Sequence, residues 1–367
     1  MNIFSNFPSM YFKKNFITKI SDAALLSLLC LNVASCTDVE VLNNEDDILK
    51  PPPTVYIVST SGGLNGVMPV VTYWKDSIAF PINNGNRDAF ANSIFVSGND
   101  VYVAGQEKQG YTGIAKYWKN GIGVSLTNDP NNGAANCIFV SGTDVYVAGW
   151  KQKYQGAPIV ATYWKNGIEY TLPSDKFSSY AESIFISGND IYVAGYENDP
   201  NGNEIAKYWK NGIGVNLSDG SIHTTAKSIF VSGNDIHIVG IENNGYTRVI
   251  KYWKNGVGNS LTDGTLDAFA NSIFVSGNDV YIAGGEGIPN GGPSIAKYWK
   301  NGKPTALTNG QRDAAAVSIF VLENDVYVAG DIYNASGYPV GTYWKNGVPT
   351  SLTDGKNIGY AMGIFVK

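Results

Sequence analysis

The sequence predicts an all-β fold, a seven-bladed β-propeller of four-stranded antiparallel blades. Three observations predict it. The string Tyr-Trp-Lys recurs at Trp74, Trp118, Trp164, Trp209, Trp253, Trp299 and Trp344, at spacings of 44, 46, 45, 44, 46 and 45 residues. A second string, of the form SIFVSGNDVYVAG, recurs with the same period through Phe95, Phe139, Phe185, Phe230, Phe274 and Phe320, and a truncated copy ends the chain at Phe365. The 313 residues from Val55 to Lys367 divide into seven units of about 45. A period of this size with strand-like content marks a propeller blade.

Each unit reads as four strands: S-I-F-V, V-Y-V-A-G, A-x-Y-W-K and a last one ending in Leu-Thr. Enrichment in Val, Ile, Tyr, Phe and Trp supports strand throughout. Ser97-Gly98-Asn99-Asp100 and its copies form the first hairpin turn, and Asn120-Gly121 and its copies the last. Gly and Asn suit both because such turns use positive φ. The first unit departs, with Asp76-Ser77 in place of Asn-Gly.

The stretch from Leu-Thr to the next S-I-F-V is about ten residues, long enough to cross from a blade's outer edge to the centre of its neighbour. The S-I-F-V strand is therefore innermost. The units begin at a second strand, Val55-Tyr56-Ile57-Val58, and stop after a first one, Ile364-Phe365-Val366. The C-terminal inner strand is thus predicted to close the ring and remove its open edges.

Composition bounds the function. The net charge is −5, and without a basic surface no nucleic-acid partner is expected. Cys137 is the one cysteine among the repeats, which excludes a disulfide framework or a Cys-based zinc site there. With His223 and His237 the only histidines, no metal, cofactor or histidine acid–base centre is expected. A monomer is expected.

Residues 1–35 read as a secretory leader. Lys13, Lys14 and Lys19 precede an apolar run from Ala23 to Val33, too short for a comfortable membrane span. Met1 and Met10 both suit as the start. The sequence Val33-Ala34-Ser35-Cys36 resembles the lipobox of bacterial lipoproteins. That resemblance implies a diacylated Cys36, a membrane partner through the lipid, and an outer-membrane location in the cell envelope. Residues 36–54, acidic and then proline-rich, read as a flexible tether. The propeller follows over residues 55–367.

The unit also resembles an extracellular bacterial repeat family named for a His-Ala-Phe tripeptide. The likeness runs from Ala115-Lys116-Tyr117-Trp118-Lys119-Asn120-Gly121 through Leu126 to Gly149 and repeats in the other units, although the tripeptide itself is absent. It implies fold and export, and no reaction.

The two tight turns share one face of the disc and barely vary between units. The second-to-third loops and the crossovers share the other face, and they vary most. Rigid scaffolds carry their sites on such loops. The candidates there are Trp150, Tyr154, Tyr111, Tyr196, Tyr246 and Tyr333, with Glu107, Glu197, Glu242 and Glu286 just after the second strand's Gly. Aromatic planes beside carboxylates suit sugar rings, whose apolar face stacks while the hydroxyls are hydrogen-bonded. The competing reading packs the tyrosines between blade rims. Asp88, Asp267 and Asp313 in the crossovers raise the alternative of a glycan-active enzyme, which needs two acids at a set separation; a turn-capping role competes. The leading expectation is a non-catalytic binding scaffold for glycan or protein. A purely structural surface protein is the third reading.

Overall fold

The computed structural model describes residues 51–62, 68–128, 132–174, 177–243, 245–288 and 292–367. The leader, Cys36 and the tether up to Lys50 lie outside them. The described chain forms 28 strands, β1 (Val55–Ser61) to β28 (Gly359–Val366), in seven four-stranded antiparallel sheets. Six sheets use four consecutive strands. The seventh has the order β28-β1-β2-β3, with β2 at Val70–Lys75 and β3 at Ile78–Pro81. Tyr56 pairs with Phe365 and Ile57 with Ile364, so the C-terminal strand closes the ring as the sequence predicts.

Both tight turns are set by backbone chemistry. Asn120 and Gly121 take φ of +50° and +82°, the two positive values of a type I′ turn. The side chain of Asn120 adds to this. Its Oδ1 accepts from the Val101 amide at 2.9 Å, and its Nδ2 donates to Asp100 Oδ1 at 2.7 Å. Lys119 pairs with the other oxygen of Asp100 at 2.8 Å and lies over the Tyr102 ring. The Lys–Asp pair of this cluster recurs at Lys165–Asp144, Lys210–Asp190, Lys254–Asp235, Lys300–Asp279 and Lys345–Asp325. The uniform turn face is thus a fastening. In the other turn only Gly98 has positive φ, +55°, while Asn99 does not. That is type II′ geometry, in which glycine leads.

The core lies between blades. Six of the repeat tryptophans are at most 3% exposed; Trp74 is half-buried. Trp164, for example, packs on the next interface with Ile138, Val147, Tyr102 and Ala104. Burying such rings stabilises by roughly 2–3 kcal/mol each. Around the axis the seven repeat phenylalanines form an unbroken collar, with neighbouring centroids 4.7–5.0 Å apart.

Every inner strand carries a bulge. In β4 (Ala89–Ser97) the register with β5 (Asp100–Gln109) shifts between Ala91 and Ser93, leaving Asn92 outside the ladder. The same shift isolates Glu182, Lys227, Val317 and Met362 in other blades. The bulge explains the Gly that ends each V-Y-V-A-G. A Cβ on Gly105 would meet the Phe90 carbonyl oxygen at 2.0 Å, so only glycine fits opposite the kink.

Candidate functional site

The bulges aim one residue per blade at the central channel. A cavity of about 420 Å³ lies there, lined by Asn92, Asn136, Glu182, Lys227 and Asn271 on one arc and by Val317 and Met362 on the other. The serine next to each bulge looks like a second functional ring but is a rivet. Ser93 Oγ accepts the Ile138 amide at 3.3 Å, Ser183 that of Ile229 at 3.3 Å, and Ser228 that of Ile273 at 3.2 Å. Cys137 stands at this serine position, and burial pushes its thiol up. Its Sγ lies 4.0 Å from Ser183 Oγ and 3.9 Å from the Ile184 carbonyl oxygen.

Two adjacent bulge positions break the repeat with opposite charges. Lys227 Nζ lies 3.1 Å from Glu182 Oε1, and Asn136 Nδ2 reaches Glu182 Oε2 at 3.4 Å. Above them stands an aromatic run. Trp150 meets the edge of Tyr180 at a centroid distance of 6.2 Å, Tyr180 stacks on Tyr196 at 4.8 Å, and the Lys227 ammonium sits 5.4 Å from the Tyr196 ring centre. All of these side chains are half-buried. Burial raises the Tyr180 and Tyr196 phenols, and the carboxylates of Glu182 and Glu204 raise them further, so both stay neutral donors.

Three blades supply this cluster, and its position follows from register. Trp150 and Tyr196 occupy the position directly after the second strand's Gly in their sheets, and Tyr180 pairs with Tyr196 on the inner strand. Of the residues expected from sequence, the structure brings together Trp150 and Tyr196. Tyr111, Tyr154 and Tyr246 are exposed on three different loops, outside this run, at 109%, 58% and 95%. Tyr333 lies in another blade, where burial and a hydrogen bond with Tyr360 push its phenol up to about 12. Sequence reasoning missed Tyr180, Glu182 and Lys227. Their signal was present, since Glu182 and Lys227 replace an Asn of other units, but it sat on inner strands taken as structural.

The expected carboxylates have other duties. Glu107 pairs with Lys116 at 3.0 Å and Glu242 with Lys251 at 3.3 Å; Glu197–Lys207 and Glu286–Lys297 pair likewise. Asp267 caps the Arg248 amide at 2.9 Å and grips its guanidinium, and Asp313 caps the Ser294 amide at 2.8 Å. Asp88 lies 3.3 Å from Lys108. His223 Nδ1 accepts the Glu204 amide at 3.3 Å in the same capping place. His237, 4% exposed, bonds the Tyr252 hydroxyl at 2.7 Å. Among the described residues no group of three or more His, Cys, Asp or Glu is placed to hold a metal ion.

Fold and ring closure define the class, a seven-bladed β-propeller with a repeat-breaking cluster at one side of its channel mouth. The sequence matches no family model and no curated protein. Its fold is similar to solved peptidase structures. A puromycin-hydrolyzing peptidase of Mycobacterium tuberculosis aligns with TM-score 0.54 at 10% identity, over 82% of this chain and 53% of that one. An acylaminoacyl peptidase of Pyrococcus horikoshii gives 0.50 at 14%, over 83% and 52%. The β-propeller domain of the Trilobed protease from Pyrococcus furiosus, described as having an open velcro topology, gives 0.52 at 14%, over 83% and 95%. The chain therefore spans about half the length of the two full peptidases, and the likeness is one of fold.

These findings correct two expectations. Membership of the His-Ala-Phe repeat family is not upheld, since no family model matches and the propellers it resembles are those of peptidases. The shared pattern has a physical origin. Asn-Gly after Trp-Lys is what a type I′ turn requires, and the terminal Gly is what the bulge requires, so a four-stranded blade produces both without common descent. The lipid-anchored, outer-membrane lipoprotein is likewise withdrawn, and with it the membrane as a partner. It rested on the leader with its apolar run and on Val33-Ala34-Ser35-Cys36, all outside the described residues, and on a repeat-family likeness that the peptidase propellers replace. No helix among the described residues is long and apolar enough to cross a membrane.

Proposed function

We propose that this propeller is a non-catalytic binding scaffold whose ligand is a glycan, held at the channel mouth. The observation that carries the reading is the clustering of repeat-breaking residues: Trp150, Tyr180 and Tyr196 present rings beside the Glu182–Lys227 pair, on one side of an otherwise regular ring. A purely structural protein has no need to place its exceptions together. Sugar rings stack on aromatic faces while flanking charges take the hydroxyls. A glycan-active enzyme is less well supported. Glu182 is the one carboxylate among the cavity-lining residues named for the channel, and it is already engaged by Lys227 and Asn136, whereas glycoside hydrolysis needs two acids.

A glycan array with the purified protein tests the reading. Trp150→Ala should weaken binding by about 1–3 kcal/mol, the range of a stacked aromatic anchor. Asn120→Ala or Asn211→Ala on the turn face should leave affinity unchanged in folded protein. The reverse pattern would put the site on the wrong face. A second reading draws on the peptidase likeness: the mouth takes a peptide, and the propeller works beside a separate catalytic unit. Peptides that compete at the Trp150 site, with an empty glycan array, would favour it.

A further inference from the structure

The cavity below the mouth has a directional chemistry that its residue types alone do not show. Asn92 Nδ2 donates to the Ala135 carbonyl at 2.9 Å, Asn136 Nδ2 to that of Ala181 at 3.0 Å, and Asn271 Nδ2 to that of Ala316 at 2.9 Å. Each amide thus spends its donor end on the next blade, and none of the three Oδ1 atoms receives a hydrogen bond from the described residues. A primary amide has two donors at one end and an acceptor at the other. Fixing the first turns the second toward the cavity that these residues line. Three amide oxygens then line the cavity beside the Glu182–Lys227 pair, whose single ammonium is already held by the carboxylate. The opposite arc, Val317 and Met362, is apolar.

We infer that this chamber is a second subsite, which holds one pyranose unit by its hydroxyl rim against the acceptor arc and by its apolar face against Val317 and Met362, and which favours an amino sugar over an acidic one. The inference rests on the glycan reading of the mouth and adds the class of sugar. The cavity of about 420 Å³ leaves room for a single unit with water around it. An ammonium meets excess acceptors there, while a carboxylate meets the same oxygens without a proton to share.

The test titrates the full chain with D-glucosamine, D-glucose and D-glucuronate, read by ligand-observed NMR. Glucosamine should bind tightest, with glucuronate at least fivefold weaker. Asn271→Val and Asn92→Met copy residues that the repeat already carries at Val317 and Met362, so folding should survive, which a thermal melt confirms. Each should weaken glucosamine at least threefold. Equal or tighter binding of glucuronate, no binding of any of the three, or indifference to both substitutions would overturn the inference. Trp150→Ala separates the two sites, because it should impair oligosaccharides and spare glucosamine. Loss of the monosaccharide effect with Trp150-dependent oligosaccharide binding intact would remove the chamber and leave the mouth.

Discussion

Lys227 Nζ and Glu182 Oε1 lie 3.1 Å apart, and the two residues stand at the same bulge position of adjacent blades. Three other blades have Asn there, at Asn92, Asn136 and Asn271. The pair is half-buried, so its net contribution to stability is about 0.5–1 kcal/mol. The Glu182→Asn/Lys227→Asn double variant should therefore melt within about 2 °C of the parent. Either single variant should be less stable than the double by about 1 kcal/mol. A denaturant-unfolding cycle checks this. A double variant as unstable as the worse single one would show that the pair does not act as a unit.

Deleting residues 360–367 should open the ring. Strand β28 contributes Ala361, Ile364 and Val366, all at most 5% exposed, to the core shared with Ile57. Each large apolar side chain lost from burial costs about 1.5–3 kcal/mol, and the exposed edge of β1 adds to that. A fall in Tm of about 10 °C or more is expected. An unchanged Tm would mean that the ring closes otherwise.

Glu323 occupies the first turn position, where the other copies have Gly98, Gly142, Gly188, Gly233 and Gly277. Its φ is +57°. A non-glycine residue in that region stores about 1–3 kcal/mol, partly offset because glycine loses more entropy on folding. Glu323→Gly should stabilise the protein by about 1 kcal/mol in urea unfolding. A destabilised variant would show that contacts of Glu323 outweigh the strain.

Asp331 gives the protein an unusual pH slope. It is 5% exposed, and burial pushes its carboxyl up to about 7, against about 3.9 in an unfolded chain. Between these values the folded state binds the extra proton. The contribution is present in full below about pH 4, falls as pH rises towards 7, and is level above, a loss of up to about 4 kcal/mol. The turn aspartates, Asp100 and its copies, slope the other way. Their Lys partners hold them below the usual range, so their stabilisation is lost in acid. Asp331→Asn should raise Tm at pH 8 and change it little at pH 4. Equal shifts at both pH values would remove Asp331 as the cause.

The blade number, the four strands per blade, the two hairpin turns and the C-terminal closure were legible because each is a local or periodic feature. A tight turn needs residues that accept positive φ, met by Asn-Gly in six of the seven units, and seven copies of Trp and Phe count the blades. The exposed aromatics were legible as loop residues, and this misled. Loop exposure places Tyr111 and Tyr246 on the right face but says nothing of their distance from Trp150.

The sequence by itself determined the repeat, its period and the places where single units depart from it. Only the tertiary structure decided which departures meet. Trp150, the group Tyr180, Glu182 and Tyr196, and Lys227 come from three successive blades, yet they share one corner of the mouth. The physical reason is the bulge. It rotates one residue per inner strand out of the ladder and into the channel, and ring closure sets those residues side by side. The folded ring also turned the crossover aspartates from a candidate acid pair into capping groups, and it made the inner-strand serines rivets between blades. The serine rivets join residues about 45 positions apart in neighbouring blades, and the aspartate caps reach back 19 positions, distances that no local pattern contains.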